Sequence, residues 1–267
     1  MLEINRVSKL FNPGSPDEKI ALQNIQLSLR PGDFVTLIGS NGAGKSTLMN
    51  IISGVMKPDA GDVTIEGRTI SHLPEFRRSR WVGRVFQDPM AGTAPHMTIE
   101  ENLAMAYARG KRRGLALSIK ASRRQLFRES LERLGIGLEN RLRAKVGLLS
   151  GGERQALSLL MATFTQPGIL LLDEHTAALD PARAELITRL TESIVREMNL
   201  TTLMVTHNME QAIRLGNRLI MMDKGQIILD IDEQRKKHLT VEELLGEFER
   251  ISGHKLSDDR IVLARSE

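Results

Sequence analysis

The run Gly39-Ser40-Asn41-Gly42-Ala43-Gly44-Lys45-Ser46 has the residue types and spacing to hold a chain of phosphates. It follows the form G-x-x-x-x-G-K-[ST]. Its glycines let the backbone wrap an oxyanion without Cβ clashes, and a helix opening after it offers free N–H groups and the positive end of its dipole. At that spacing Lys45 reaches the β- and γ-phosphates and the Ser46 hydroxyl ligates Mg²⁺. A second constellation is the apolar run Ile169-Leu170-Leu171-Leu172 ending in Asp173-Glu174. Alone, those acids read as a solvated strand end. Beside a phosphate loop, Asp173 can hold Mg²⁺ through its water shell, and Glu174 can act as general base toward an attacking water. A third is Leu149-Ser150-Gly151-Gly152-Glu153-Arg154-Gln155 ahead of a helix. Alone it reads as a helix N-cap by Ser150. A hydroxyl, two small backbone units and a helix N-terminus also form an anion nest. In a chain that already has one phosphate loop, a second nest suggests closure on the γ-phosphate held by another subunit.

The elements that must position these groups show in the surrounding pattern. Residues 33–38 form a short apolar run ending at Gly39 and read as a buried strand. From Ser46 to Ile52 no breaker occurs, which predicts a helix up to Gly54. Residues 2–7, 20–29 and 62–66 suit an antiparallel flank. Residues 98–134 read as helical and basic, with Glu100 and Glu101 at a helix start. Residues 135–145 form a broken connection and 151–165 a further helix. Ile169–Leu172 and Thr202–Val205 read as buried strands. Asp180-Pro181 opens a helix, with Asp as N-cap and Pro as first residue. Its apolar positions Leu186, Ile187, Leu190, Ile194, Val195 and Met198 fall on one face. Residues 218–222 and 226–229 flank Asp223-Lys224-Gly225 as a hairpin. Strands alternating with helices imply a largely parallel sheet covered by helices.

Composition sets limits. There is no cysteine, so disulfides and Cys-based metal sites are excluded. The N-terminus lacks the pattern of a signal peptide. No stretch approaches the roughly 20 apolar residues of a spanning helix, so a membrane link is expected to run through a partner. Net charge is +4, too mild to argue for nucleic acid. Charge is nonetheless uneven. Residues 109–128 hold Arg109, Lys111, Arg112, Arg113, Lys120, Arg123, Arg124 and Arg128 against no acid. That segment reads either as a solvated helical face or as a contact for anionic lipid headgroups, worth about 1 kcal/mol per well-placed charge.

LSGGERQ, the glycine-rich loop and the LLLDE strand together resemble the nucleotide-binding domain of ABC ATPases, in that family's order and over roughly residues 2–230. The resemblance implies an α/β fold: a P-loop NTPase (RecA-like) core with a mostly parallel sheet, an antiparallel β flank and an inserted helical subdomain. It implies a nucleotide-binding domain over 1–230, its helical subdomain at about 91–160, and a short C-terminal tail over 231–267. ATP and Mg²⁺ are the implied cofactors, and ATP hydrolysis coupled to transport the implied activity. Gly39, Ser40, Asn41, Gly42, Ala43, Gly44, Lys45, Ser46 and Thr47 match the nucleotide-binding loop. Ser46, Asp173 and Gln87 match the metal-holding positions, and Gln87 also the family's contact with its membrane partner. Glu174 matches the base, with Lys45, Gln87 and His207 as the other catalytic positions. His207 resembles the switch histidine that hydrogen-bonds the γ-phosphate and Glu174. Ser150, Gly151, Gly152, Glu153 and Asp180 match residues that face the nucleotide of the opposing subunit, and Asp180 keeps its N-cap role as well. Phe11 sits where the family stacks an aromatic on adenine; a place in the core is its other reading.

One departure is His175, where the family commonly has proline. It either adds a pH-sensitive contact or faces solvent, and solvent exposure is the expectation. DEHTAALD with SGGERQALSLLMAT resembles a group of importer ATPases paired with a lipoprotein-type receptor and a separate permease, some tied to aromatic amino acids. The implied partners are a second copy on ATP binding, an integral membrane permease and an extracytoplasmic substrate-binding protein, with no nucleic acid. The implied place is the cytoplasmic side of the inner membrane, peripherally, and the implied cargo a small solute such as an amino acid. The alternative is a soluble ABC ATPase of an assembly or mechanotransmission complex.

Overall fold

The computed structural model describes residues 1–109 and 121–253. In chain order its elements are β1 (Leu2–Phe11), β2 (Lys19–Leu29), β3 (Phe34–Gly39), α1 (Lys45–Ser53), β4 (Ala60–Ile65), β5 (Arg68–Thr69), α2 (Glu75–Arg78), β6 (Val82–Val85), α3 (Ile99–Tyr107), α4 (Ala121–Glu132), α5 (Gly151–Thr163), β7 (Ile169–Asp173), α6 (Pro181–Glu197), β8 (Thr202–Val205), α7 (Met209–Arg214), β9 (Arg218–Asp223), β10 (Gln226–Ile231), α8 (Glu233–Lys236) and α9 (Val241–Ser252). The chain forms two compact units, Met1–Arg78 with the chain from Asn199 onward, and Ser79–Met198.

In the first unit β3 lies parallel to both β8 and β9, with Leu37 opposite Val205 and Ile220. Every residue of β3 is buried, as an apolar run between parallel neighbours must be. The polar member, Thr36, donates its hydroxyl to the Ala212 carbonyl at 2.8 Å. β10 returns antiparallel on β9 through Lys224 (φ 45°) and Gly225 (φ 78°). Positive φ at both positions is what a type I′ hairpin turn requires. The flank expected from sequence is the antiparallel sheet β2-β1-β4-β5. Its strands bury alternate residues, Ile25, Leu27 and Leu29 among them, so one face packs on a core.

Two buried cations hold this unit together. Arg78 is fully buried. Its guanidinium donates to the carbonyls of Ile51 (2.5 Å), Ile52 (3.2 Å), Leu73 (2.8 Å) and Ser71 (2.7 Å). Ile51 and Ile52 lie in the last turn of α1, where a cation satisfies orphan carbonyls and the negative end of the dipole. Lys236 is buried on α8. Its ammonium donates to the Leu215 carbonyl, and more weakly to the Gly216 carbonyl (3.2 Å) and the Thr36 hydroxyl (3.4 Å). The polar segment after Ile231 is thereby tied to the sheet. Leu244 and Phe248 of α9 complete the same core with Ile38, Met209, Ala212 and Leu219.

Burial pushes Lys236 from 10.5 down to about 8. Because the folded value is the lower one, the unfolded chain binds the extra proton between those limits, and stability rises as pH climbs from about 8 toward 10.5. The Lys236→Met variant lacks this rise. Urea unfolding of both proteins at either end of that window checks it, and parallel pH profiles would refute it.

In the second unit β6 and β7 pair in parallel, Val85 opposite Leu172. α3, α4, α5 and α6 share one core that includes Leu103, Phe127, Leu131, Leu157 and Ile187. The rings of Tyr107, Phe127 and Phe164 meet edge-to-face, with centroids 5.8–6.2 Å apart, a favoured arrangement of aromatic quadrupoles. The single helical stretch expected over 98–134 is two helices, α3 and α4, among the described residues. Lys111, Arg112, Arg113 and Lys120 of the basic segment lie outside the described residues. Arg124 pairs with Glu100 of α3 at 2.7 Å, so that arginine braces a neighbouring helix.

Most of the expected face of α6 packs inward: Ile187 and Val195 are buried, and Leu190 and Ile194 pack against the same core. Leu186 is 43% exposed instead, and Thr188 and Thr191 are buried. Each buried threonine donates its hydroxyl to the carbonyl one turn back, Thr188 to Ala184 and Thr191 to Ile187, both at 2.8 Å. Self-satisfied hydroxyls cost little in a core, so these two share the inner face with the apolar residues. Among the described residues no helix is long and apolar enough to cross a membrane.

Candidate functional site

In the first unit the loop between β3 and α1 is built to approach something closely. Gly44 has φ 101°, and a Cβ there would lie 2.4 Å from the Ala21 carbonyl oxygen. At Gly39 a Cβ would lie 2.1 Å from the Met222 oxygen. Side chains cap the N-termini of α3, α5, α6, α7, α8 and α9. α1 instead opens on Gly44 with no side-chain cap. The positive end of the α1 dipole therefore opens on the loop without a capping side chain, and a phosphate suits it by charge. Lys45 is 6% exposed and donates to the Gly39 (2.6 Å) and Ser40 (3.0 Å) carbonyls. Its ammonium is thus fixed at the loop it closes.

Two other elements frame that loop. The Ser40 hydroxyl donates to Asp223 at 2.6 Å, and the Gly225 N–H donates to the Ala43 carbonyl at 3.0 Å. The hairpin of β9 and β10 therefore braces the cradle. Asp223 was read from sequence only as a turn residue; its partner lies 183 positions away. His207 follows β8, the parallel neighbour of β3, and the Thr206 N–H reaches the Leu37 carbonyl at 3.2 Å. The loop and His207 thus leave the carboxyl ends of adjacent strands, the usual place for ligands in open α/β sheets. Phe11 ends β1, half-buried, with the Lys9 ammonium 5.9 Å from its ring centre. It is not a core residue.

In the second unit Gln87, Asp173 and Glu174 leave the carboxyl ends of the paired strands β6 and β7. Gln87 is exposed, and both acids are half-buried. Arg84 of β6 donates to Asp173 of β7 at 2.8 Å and stacks over the Phe86 ring at 4.7 Å. It fixes the Asp173 carboxylate from the next strand. No sequence pattern flags that pair, because it depends on strand register. Glu174 holds φ 46°, a left-handed conformation that non-glycine residues keep only where the surroundings impose it. His175 is 1% exposed, which corrects the expectation that it faces solvent. α6 packs over it, and burial pushes its pKa down from 6.5 to about 4, so the ring is neutral near pH 7.

The Ser150 segment forms a reciprocal cap on α5. The Glu153 N–H donates to the Ser150 hydroxyl (3.3 Å), and the Ser150 N–H donates to the Glu153 carboxylate (2.7 Å). Burial alone would raise the Glu153 pKa. The Ser150 donors and Arg141 at 2.6 Å outweigh it and hold the carboxylate below its ordinary value. A Cβ on Gly151 would meet Leu179 at 3.3 Å, and one on Gly152 would meet Arg183 at 3.1 Å. The glycine pair therefore also lets the segment around Asp180 pack closely. Asp180 caps α6 through the Arg183 N–H at 3.1 Å. Gln155, fully buried, donates to the Phe86 carbonyl at 3.1 Å. It ties α5 to the residue before Gln87, a role the sequence did not disclose.

Among the described residues no group of three or more His, Cys, Asp or Glu side chains gathers for a metal ion. Mg²⁺ is held by one or two protein oxygens plus substrate phosphates, and the Ser46 hydroxyl and the Asp173 carboxylate are oxygen donors of that kind.

The family model described as ABC transporter matches residues 22–177. The chain is 47% identical over 249 residues to the tyrosine transport ATP-binding protein of Clostridioides difficile (strain R20291), covering 93% of this chain and 99% of that protein. It is 32% identical over 262 residues to the spermidine/putrescine import ATP-binding protein PotA of Lawsonia intracellularis (strain PHE/MN1-00), covering 96% and 66%. Among solved structures it resembles a dimeric ATP-binding cassette in a post-hydrolysis state bound to ADP and Pi, with TM-score 0.74, 29% identity and coverage of 87% and 99%. It also resembles the ADP conformation of an ATP-binding cassette of an ABC transporter, with TM-score 0.73, 26% identity and coverage of 100% and 99%.

Proposed function

The chain belongs to the ABC transporter family as an ATP-hydrolysing subunit, and on that premise we propose that it powers import of an amino acid of the aromatic class through a separate membrane permease. The observation that carries its chemistry is the uncapped start of α1 under Lys45. The relative at 47% identity, a tyrosine transport ATP-binding protein, supports the cargo class. In this reading a peripheral pair of copies works on the cytoplasmic face, and a substrate-binding protein outside delivers the cargo.

Each site residue then has a task. The α1 N–H groups, Gly39–Thr47 and Lys45 hold the phosphates, and Phe11 stacks on the adenine. Ser46, Asp173 and Gln87 would hold Mg²⁺, which would supply charge neutralisation toward the phosphates. Glu174 takes a proton from the attacking water, and His207 orients the γ-phosphate with it. Ser150–Gly152 of the second copy close on the same γ-phosphate, with Asp180 along the seam and Glu153 keeping the cap in shape. Triphosphate charge needs donors from both copies, so ATP draws them together and hydrolysis lets them part.

Vesicles reconstituted with the chain, its permease and its receptor test the cargo. Tyrosine raises ATP hydrolysis there and spermidine does not. The opposite preference would replace the amino-acid reading with a polyamine one.

A further inference from the structure

His175 occupies the second position of a tight turn in which the Ala177 N–H donates to the Glu174 carbonyl at 2.9 Å. Proline at such a position sets the turn through its ring. Histidine has no such constraint, yet this turn holds Glu174 in the left-handed region at φ 46°. Something outside the turn must impose that conformation.

The side chain of His175 anchors the turn from outside. Nε2 lies 3.0 Å from the hydroxyl oxygen of Thr191. Both groups are buried, at 1% and 0% exposure. The single Thr191 hydroxyl proton points to the Ile187 carbonyl, 2.8 Å away. Toward His175 the threonine oxygen can therefore only accept. Nε2 must carry the ring proton and donate it, which fixes the tautomer and leaves Nδ1 as the lone-pair nitrogen. Nδ1 is itself buried without a hydrogen-bond partner. The ring thus has one directional bond, and that bond runs to the inner face of α6. That helix is 17 residues long and is capped by Asp180. A rigid helix is thereby pinned to the turn that carries Glu174.

We propose that His175 is a positioning residue for ATP hydrolysis, holding the Glu174 carboxylate in its working orientation through a hydrogen bond to Thr191. This rests on Glu174 being the general base. The pin does not touch substrate, so its loss changes the rate of the chemical step and leaves nucleotide binding alone. A misplacement near 1 Å at a reacting group costs on the order of 100-fold in rate, and a loosened turn costs part of that.

The test compares four variants at saturating ATP, with affinity for a fluorescent ATP analogue and thermal stability measured alongside. His175→Leu and Thr191→Val each lower kcat by on the order of 10-fold or more, with nucleotide Kd within about two-fold of wild type. Combined, they lower kcat no further than either alone, because they cut one bond. His175→Gln, whose amide nitrogen can take the place of Nε2, restores most of the rate. Wild-type kcat in both single variants overturns the proposal. So does a parallel loss of kcat and affinity that Gln fails to rescue, since that marks a purely structural role. Where His175→Leu fails to fold, Thr191→Val decides alone, being nearly isosteric. Glu174→Gln, assayed in the same series, separates the premises. Turnover lost there but intact in the pin variants removes the pin only. Turnover intact in Glu174→Gln removes the base assignment beneath it.

Discussion

Glu174→Gln hydrolyses ATP on the order of 10²- to 10⁴-fold more slowly than the wild type, the range that general-base catalysis contributes, while its affinity for ATP is unchanged. The carboxamide has the shape of the carboxylate and suits the same left-handed backbone at φ 46°. It cannot take a proton from water, so the bound triphosphate persists. In the proposed two-copy closure the phosphate charge is then shared for much longer, so the variant is expected to elute as a dimer with MgATP, whereas the wild type returns to monomer as phosphate is released. Phosphate release and light scattering on the same samples read both effects. Near-normal hydrolysis would move the base elsewhere. Normal affinity with slow turnover but no dimer would leave the base in place and refute the two-copy closure.

Where the sequence was legible, a strong local signal stood behind it. The strand before Gly39 and the helix after it were readable because an apolar run, a glycine pattern and an unbroken helical stretch follow one another without interruption. Asp180 as the cap of α6 was readable for the same local reason, and the structure shows that bond at 3.1 Å. The antiparallel flank and the hairpin at Lys224-Gly225 followed from alternation and turn chemistry.

What could not be read depends on partners brought near by folding. Arg84 meets Asp173 because β6 and β7 pair in one register. Ser40 meets Asp223 because β9 lies beside β3. His175 is hidden because α6 lies over it, and Thr188 and Thr191 satisfy their own hydroxyls on the inner face of that helix. A hydropathy pattern counts those threonines as polar and sets Leu186 on that face instead. The segment after Ile231 is a related case. Its composition is polar, but Leu244 and Phe248 recur one helical turn apart behind the cap formed by Thr240 and Glu243, and that spacing was the available signal. The same contrast runs through the site. The residues proposed to meet the nucleotide stand in readable runs, whereas those that hold them in place are scattered.

Lys45→Ala shows the other large effect, on binding. The ammonium sits at the loop, with two of its N–H groups on the Gly39 and Ser40 carbonyls. It is therefore ordered where the phosphates are proposed to lie, and its entropic cost is met on folding rather than on binding. A charge-assisted hydrogen bond contributes about 1.5–3 kcal/mol, and the third N–H of the ammonium supplies one such bond to a phosphate oxygen. ATP affinity in Lys45→Ala then falls on the order of 10- to 100-fold by calorimetry, at 1.4 kcal/mol per tenfold. The loss persists in EDTA, because the lysine acts on phosphate directly. Ser46→Ala behaves differently, weakening binding with Mg²⁺ present and hardly at all in EDTA, because its hydroxyl acts through the metal. Unchanged affinity in Lys45→Ala would mean that the phosphates lie elsewhere, and the uncapped start of α1 would then need another occupant.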